Sequence, residues 1–225
     1  VAVYPVNADG SNAAAEYIQK LQDGHFQPIA DAMEREARRY GLELKTPVYI
    51  SLAESSNDSP PAVPTNGGFL ARAWWVARAR WWHWNFDLQG QDPDISVVAR
   101  YFDPDAHPRL EHSVGVEQLR VAIANLFAAD GMVGANQVVI WHELMHTLGA
   151  SDKYDLATGR PLYPGGYAQP QRQPLYPQRL AEIMAGRIPL SPQNAEQADR
   201  LGRAIIGLQT AVEVGWMAPG TPPPQ

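Results

Sequence analysis

Residues 135–148 read ANQVVIWHELMHTL and run into Gly149. Val138, Val139, Leu144, Met145 and Leu148 supply apolar anchors at helical spacing, while His142 and His146 stand about one turn apart on a shared face. A fold that contains this segment must pack a helix and still leave two imidazoles pointing at a common place. Gly149 can end the helix, because glycine takes a positive φ without a Cβ penalty.

The chemistry follows from the spacing. His142, Glu143, Leu144, Met145 and His146 form HExxH on a predicted helix, where the two rings can offer nitrogens to one Zn²⁺. Glu143 sits beside the first ligand, within reach of water activated by the metal. A site that keeps its fourth position for water needs a third protein ligand, and no histidine follows His146. An oxygen donor must therefore serve. Asp152 is the first candidate, since Gly149 lets the chain reverse toward the metal. Asp155 lies one turn element too late, and Glu182 is the alternative metal ligand, arriving from a second segment. The remaining histidines, His25, His83, His107 and His112, lack this spacing and suggest no second centre.

Composition removes other classes. There is no cysteine, which excludes a disulfide framework and any thiolate-ligated metal. Lys and Arg number 18 against 24 Asp and Glu, a formal charge of −6 with no polybasic run, so nucleic acid is not an expected partner. No stretch of 18 apolar residues is present to span a bilayer. With 225 residues, 45% of them hydrophobic, the chain can bury one large domain or two small lobes sharing a cleft.

Along the chain, strands are expected at 1–6, 46–52 and 95–102, and helices at 12–21, 28–40 and 194–214, with a surface loop at 53–68 and a disordered tail at 218–225. Residues 114–127 suit either a strand or a helix in their later part. Residues 69–86 carry five of the seven tryptophans. Trp74, Trp75, Trp81 and Trp82 fall in one sector around Arg78, which predicts an amphipathic helix packed on the back of a sheet. A membrane-interface face is the competing use of the same residues. After Gly149 the texture becomes Pro, Gly and Tyr without helical period, with PLYP at 161–164 and again at 174–177, and a long ordered loop is expected.

The stretch 142–152, HELMHTLGASD, resembles the extended HExxHxxGxxH signature of the metzincin clan of zinc metalloproteases, with Asp152 where a third histidine usually stands. In this it is similar to the snapalysin-like bacterial proteases. Residues 152–155, DKYD, are similar to the DxYD tail of the immune-inhibitor-A type of secreted bacterial metalloprotease. The resemblance implies an α+β zincin fold: an upper lobe (1–149) of twisted mixed sheet and helices that ends in the active-site helix, and a smaller irregular lower lobe (150–225) that ends in a C-terminal helix, together one catalytic domain. It also implies a methionine turn at 181–186, with Met184 as an apolar floor beneath the ligands. No tyrosine follows Met184, so a transition-state stabiliser would have to be Tyr154, Tyr163, Tyr167 or Tyr176.

The expected function is zinc-dependent hydrolysis of internal peptide bonds, with Glu143 as general base and acid. The substrate would be a protein or peptide bound in extended form along a sheet edge near 121–127 or the loop before it. The alternatives are a catalytically inactive, zinc-stabilised interaction module and a zinc hydrolase acting on something other than protein. A structural Ca²⁺ would draw on Asp92, Asp94, Asp103 and Asp105, although turn formation accounts for these equally well. A monomer is expected. The sequence opens without Met inside an expected strand, so either a leader or anchor has been removed or this is an excised domain. The absence of cysteine fits a bacterial exported protein and a small cytosolic one equally, and a secreted, periplasmic or cell-envelope location is the expectation.

Overall fold

The computed structural model of the protein describes residues 1–44, 46–56, 60–61, 68–86 and 92–220. Parts of the loop expected at 53–68, and the end of the expected tail, lie outside these residues.

The chain opens with β1 (Ala2–Asn7), in which five of six residues are buried. A run this apolar has both faces covered. Ser11 caps α1 (Asn12–Gln19), its side chain accepting from the Ala14 N–H at 3.1 Å. Next come α2 (Gln27–Arg39), β2 (Ser51–Leu52) and α3 (Phe69–Asn85). They are followed by β3 (Ser96–Phe102), β4 (Val114–Val116), β5 (Val121–Phe127) and α4 (Val133–Thr147). Beyond α4 regular structure is sparse: β6 (Ala181–Glu182), β7 (Arg187–Pro189), β8 (Ala195–Gln197), β9 (Ala204–Ile205) and α5 (Leu208–Glu213).

Five strands form a mixed sheet in the order β2-β1-β3-β5-β4, parallel except for β4, which runs antiparallel to β5 at the edge. Alternation along the strands divides the core. Val3, Val97, Ala99, Tyr101, Ala122, Ala124 and Leu126 face the cluster built with α1, α2 and α4. Tyr4, Val6, Val98, Val121 and Ile123 face Trp82 and Phe86 at the end of α3. The result is a mixed α/β architecture with helices on both faces of the sheet.

Several expectations are corrected. Of the two places expected for the edge, 121–127 is an interior strand buried on six of its seven residues, and the edge strand is β4, in the stretch before it. Because both its faces are covered, β5 lacks the alternation that distinguishes a strand from a buried helix. The strand expected over 46–52 contracts to the two residues that find a partner on β1, Ser51 opposite Ala2 and Leu52 opposite Val3. The helix expected over 194–214 survives only as α5. Gly202 and Gly207 interrupt its apolar period, and β8 and β9 take ladder bonds with β7 and β6 instead.

The tryptophan segment is helical, but its expected single face divides into two. Ala79, Trp82 and Phe86 are buried and Trp75 is half-buried, while Trp74 and Trp81, on the adjoining stripe with exposed Arg78, are 67% and 68% exposed. Among the described residues no helix is long and apolar enough to cross a membrane.

Candidate metal centre

Two contacts seat α4 beneath the sheet. At its start, Asn136 brackets the end of β5, its Oδ1 accepting from the Phe127 N–H at 3.1 Å and its Nδ2 donating to the Phe127 carbonyl at 2.8 Å. Further along, β4 lies directly on the helix. A Cβ at Gly115 would stand 2.5 Å from both the Glu143 carbonyl oxygen and the His146 Cβ, so only glycine allows the edge strand this close to the turn that carries Glu143 and His146.

The helix ends as its sequence predicts. Gly149 takes φ +96°, and the Gly149 and Ala150 N–H groups close on the carbonyls of His146 and Met145. The reversal brings the Ala150 carbonyl to 2.7 Å from His146 Nδ1, and the Ile183 carbonyl approaches His142 Nδ1 at 2.8 Å. A carbonyl can only accept, so both Nδ1 atoms carry the proton and each ring has its Nε2 available as a ligand atom.

Both Nε2 atoms lie 3.2 Å from one oxygen, Asp152 Oδ1. His142, His146 and Asp152 thus form a group that could hold a metal ion, with ligand atoms all within 4.8 Å of one another. The donors fit a tetrahedral metal. Two ligands about 2.0–2.1 Å from a common ion at the tetrahedral angle stand roughly 3.3 Å apart. Asp152 Oδ1 is buried, and although both ring nitrogens stand 3.2 Å away, neither makes a well-aligned hydrogen bond to it.

Glu143 is 5% exposed, and its Oε2 is likewise buried without a partner. Burial raises its pKa, against the pull of His142 and His146. Burial also opposes a charged His142, but the carboxylates of Asp152 and Glu143 and the Ile183 carbonyl outweigh it and lift the ring to about 9. Burial works against the Asp152 charge as well, yet the two imidazoles hold that carboxyl well below the usual range.

The structure distinguishes among the four tyrosines. Tyr154 has its ring centroid 6.3 Å from that of His142. Its phenol is pushed up to about 12 by burial and then by the charges of Asp152 and Glu143. Tyr163, Tyr167 and Tyr176 form a cluster of their own: Tyr163 and Tyr167 meet edge to face at 5.3 Å, and the hydroxyls of Tyr167 and Tyr176 are 2.7 Å apart.

Glu182, the alternative ligand, lies outside the ligand group. It is fully buried, and its Oε2 accepts from the N–H groups of Met184 at 2.7 Å and Ala185 at 3.1 Å. Its Oε1 accepts from the Gly207 N–H at 3.0 Å and the Thr210 hydroxyl at 2.7 Å. These four donors make Glu182 the anchor of the turn whose Ile183 carbonyl orients His142. Met184 is fully buried in that turn, and its carbonyl accepts from the Lys153 N–H at 3.0 Å. Motif spacing gave no indication of Lys153 or of Glu213, whose carboxylate meets the Lys153 ammonium at 2.6 Å from 60 residues away. The calcium candidates do not assemble: Asp103 Oδ1 caps the Asp105 N–H at 3.0 Å, and no second group of metal-binding geometry occurs among the described residues.

No protein-family model matches the chain, and no curated protein does. Among solved structures it is similar to wild-type OgpA from Akkermansia muciniphila, at 14% identity and a TM-score of 0.46, covering 94% of this chain. The chain spans 58% of the length of that protein.

Proposed function

We propose that the chain is a zinc-dependent endopeptidase of the metzincin kind, with His142, His146 and Asp152 holding the metal and Glu143 acting as general base and acid. The observation that carries this reading is the convergence of two Nε2 atoms on one buried Asp152 oxygen 3.2 Å from each, with a buried carboxylate oxygen on the adjacent Glu143 that has no hydrogen-bond partner. A zinc-stabilised module that did no chemistry would need the three ligands but has no use for a buried, unpartnered Glu143.

Zinc held by these residues would polarise the scissile carbonyl and acidify a water molecule. Glu143 takes the proton of the attacking water and delivers it to the leaving amine, and the rise in its pKa on burial favours that acceptance. Tyr154 stays protonated far above neutral pH and supplies an O–H donor for charge developing on the carbonyl oxygen. Met184 is fully buried in the turn whose Ile183 carbonyl meets His142 Nδ1, which supports reading it as the apolar floor that the metzincin resemblance implies. An extended peptide would add to β4, the edge strand lying on the ligand-bearing helix.

Purified, zinc-supplied protein should degrade casein or gelatin and lose that activity to 1,10-phenanthroline. Glu143→Ala should keep one zinc per chain while its turnover falls by about 10²–10⁴-fold, the range of general acid–base contributions. His146→Ala should lose the metal. Undiminished hydrolysis by the Glu143 variant overturns the assigned base, and a wild-type chain that takes up no zinc overturns the reading as a whole.

A further inference from the structure

Asp152 reaches the metal centre from a segment outside any helix or strand, so something must hold its backbone in place. The residues on either side of it are gripped by one carboxylate. Glu213 Oε2, on α5, accepts from the Ser151 backbone N–H at 2.9 Å and from Lys153 Nζ at 2.6 Å, and its Oε1 accepts from the Ser151 hydroxyl at 2.9 Å. Lys153 is 4% exposed, and its ammonium also donates to the Ser151 carbonyl at 2.8 Å. Its backbone is fixed at both ends, the N–H on the Met184 carbonyl and the carbonyl on the Leu162 N–H at 2.8 Å.

A buried ammonium is an unfavourable way to fill space. Well-packed apolar side chains of the same volume are commonly as stabilising as a buried ion pair or more so. What the charged pair supplies here is direction: Ser151 and Lys153 are drawn to one point, and the Asp152 side chain between them must leave on the opposite side, toward His142 and His146.

We propose that Glu213 is a positioning residue for the third metal ligand, acting through Ser151 and Lys153 to keep the Asp152 carboxylate aimed at the two imidazoles. The proposal rests on the metal-site reading above. A ligand pre-set in this way loses little conformational freedom when the ion binds, which raises affinity without any contact between Glu213 and the metal.

The test is a zinc affinity measured by competition with a chromophoric chelator, together with melting curves of chelator-treated and zinc-loaded protein. Glu213→Gln is nearly isosteric but turns an N–H₂ group toward donors, and should weaken zinc binding by about tenfold or more, the scale seen when groups supporting metal ligands are removed. Lys153→Met keeps the stem packed and guards against a folding defect in the first variant; it should weaken binding in the same direction. Glu196→Gln, which disrupts a pair with Arg203 remote from the ligands, should leave affinity unchanged. A purely structural clamp would lower both melting curves equally and preserve affinity, and that result in the Glu213 and Lys153 variants overturns the proposal. Failure of the wild-type chain to bind zinc overturns the metal site itself, so the two failures are distinguishable.

Discussion

Two carboxylates from neighbouring stretches of chain meet opposite fates in the centre. Burial pushes Glu143 up, while two imidazoles draw Asp152 down. The first is suited to accept a proton and the second to remain a ligand. His142 carries the pH dependence. Its pKa in the folded chain is raised from 6.5 to about 9, so the stability it contributes is fully present below its unfolded value and is lost as pH rises through about 9. Metal binding must displace that proton, so affinity has the opposite slope. Chelator-treated protein should therefore melt at progressively lower temperature between pH 6.5 and 9, while zinc affinity increases over the same range. A flat zinc affinity across that window contradicts a protonated His142. For Tyr154→Phe, zinc should be retained while kcat falls by about 10²-fold with KM little changed, the signature of a donor engaged only in the transition state. Unchanged kcat removes Tyr154 from the mechanism.

At the scale of elements, the centre depends on close approach and on a reversal. Gly115 lets β4 touch α4 between Glu143 and His146, and the atoms a Cβ would strike belong to the helix backbone and to the root of the His146 side chain. Gly115→Ala should destabilise the fold by about 1–3 kcal/mol in urea titrations and lower turnover further than that loss explains, because the edge strand and the helix move apart together. A variant with normal turnover argues against peptide binding on this edge. The other glycine, Gly149, holds φ +96° where the helix gives way to the Asp152 loop. Its role is visible in the sequence, since a glycine just past the second histidine stands where a helix must stop if the chain is to return a third ligand. The role of Gly115 is not visible, because nothing local in Val-Gly-Val announces which helix will pass beneath it.

On the scale of the whole molecule, the metal would link α4, the loop after it and the turn at Met184. Ligand binding to the native state alone stabilises it by about 2.7 kcal/mol at a free concentration one hundred times Kd. For a chain of 225 residues that corresponds to a rise in Tm of roughly 5–10 °C when zinc is restored to chelator-treated protein. The shift should disappear in His146→Ala. A zinc-induced shift that persists in this variant would place the ion elsewhere.

Local chemistry in the sequence determined the ligand helix, its glycine stop and the identity of the converging side chains, because i,i+4 geometry and a positive-φ residue act over a single turn. It also indicated the helix on the back of the sheet. The choice of edge strand, the separation of Tyr154 from the other tyrosines, the use of Glu182 as a turn anchor and the grip of Glu213 around Asp152 were decided by the tertiary structure alone. Each depends on groups brought together from distant parts of the chain, where burial and hydrogen-bond partners follow from packing and leave no periodic trace in the sequence.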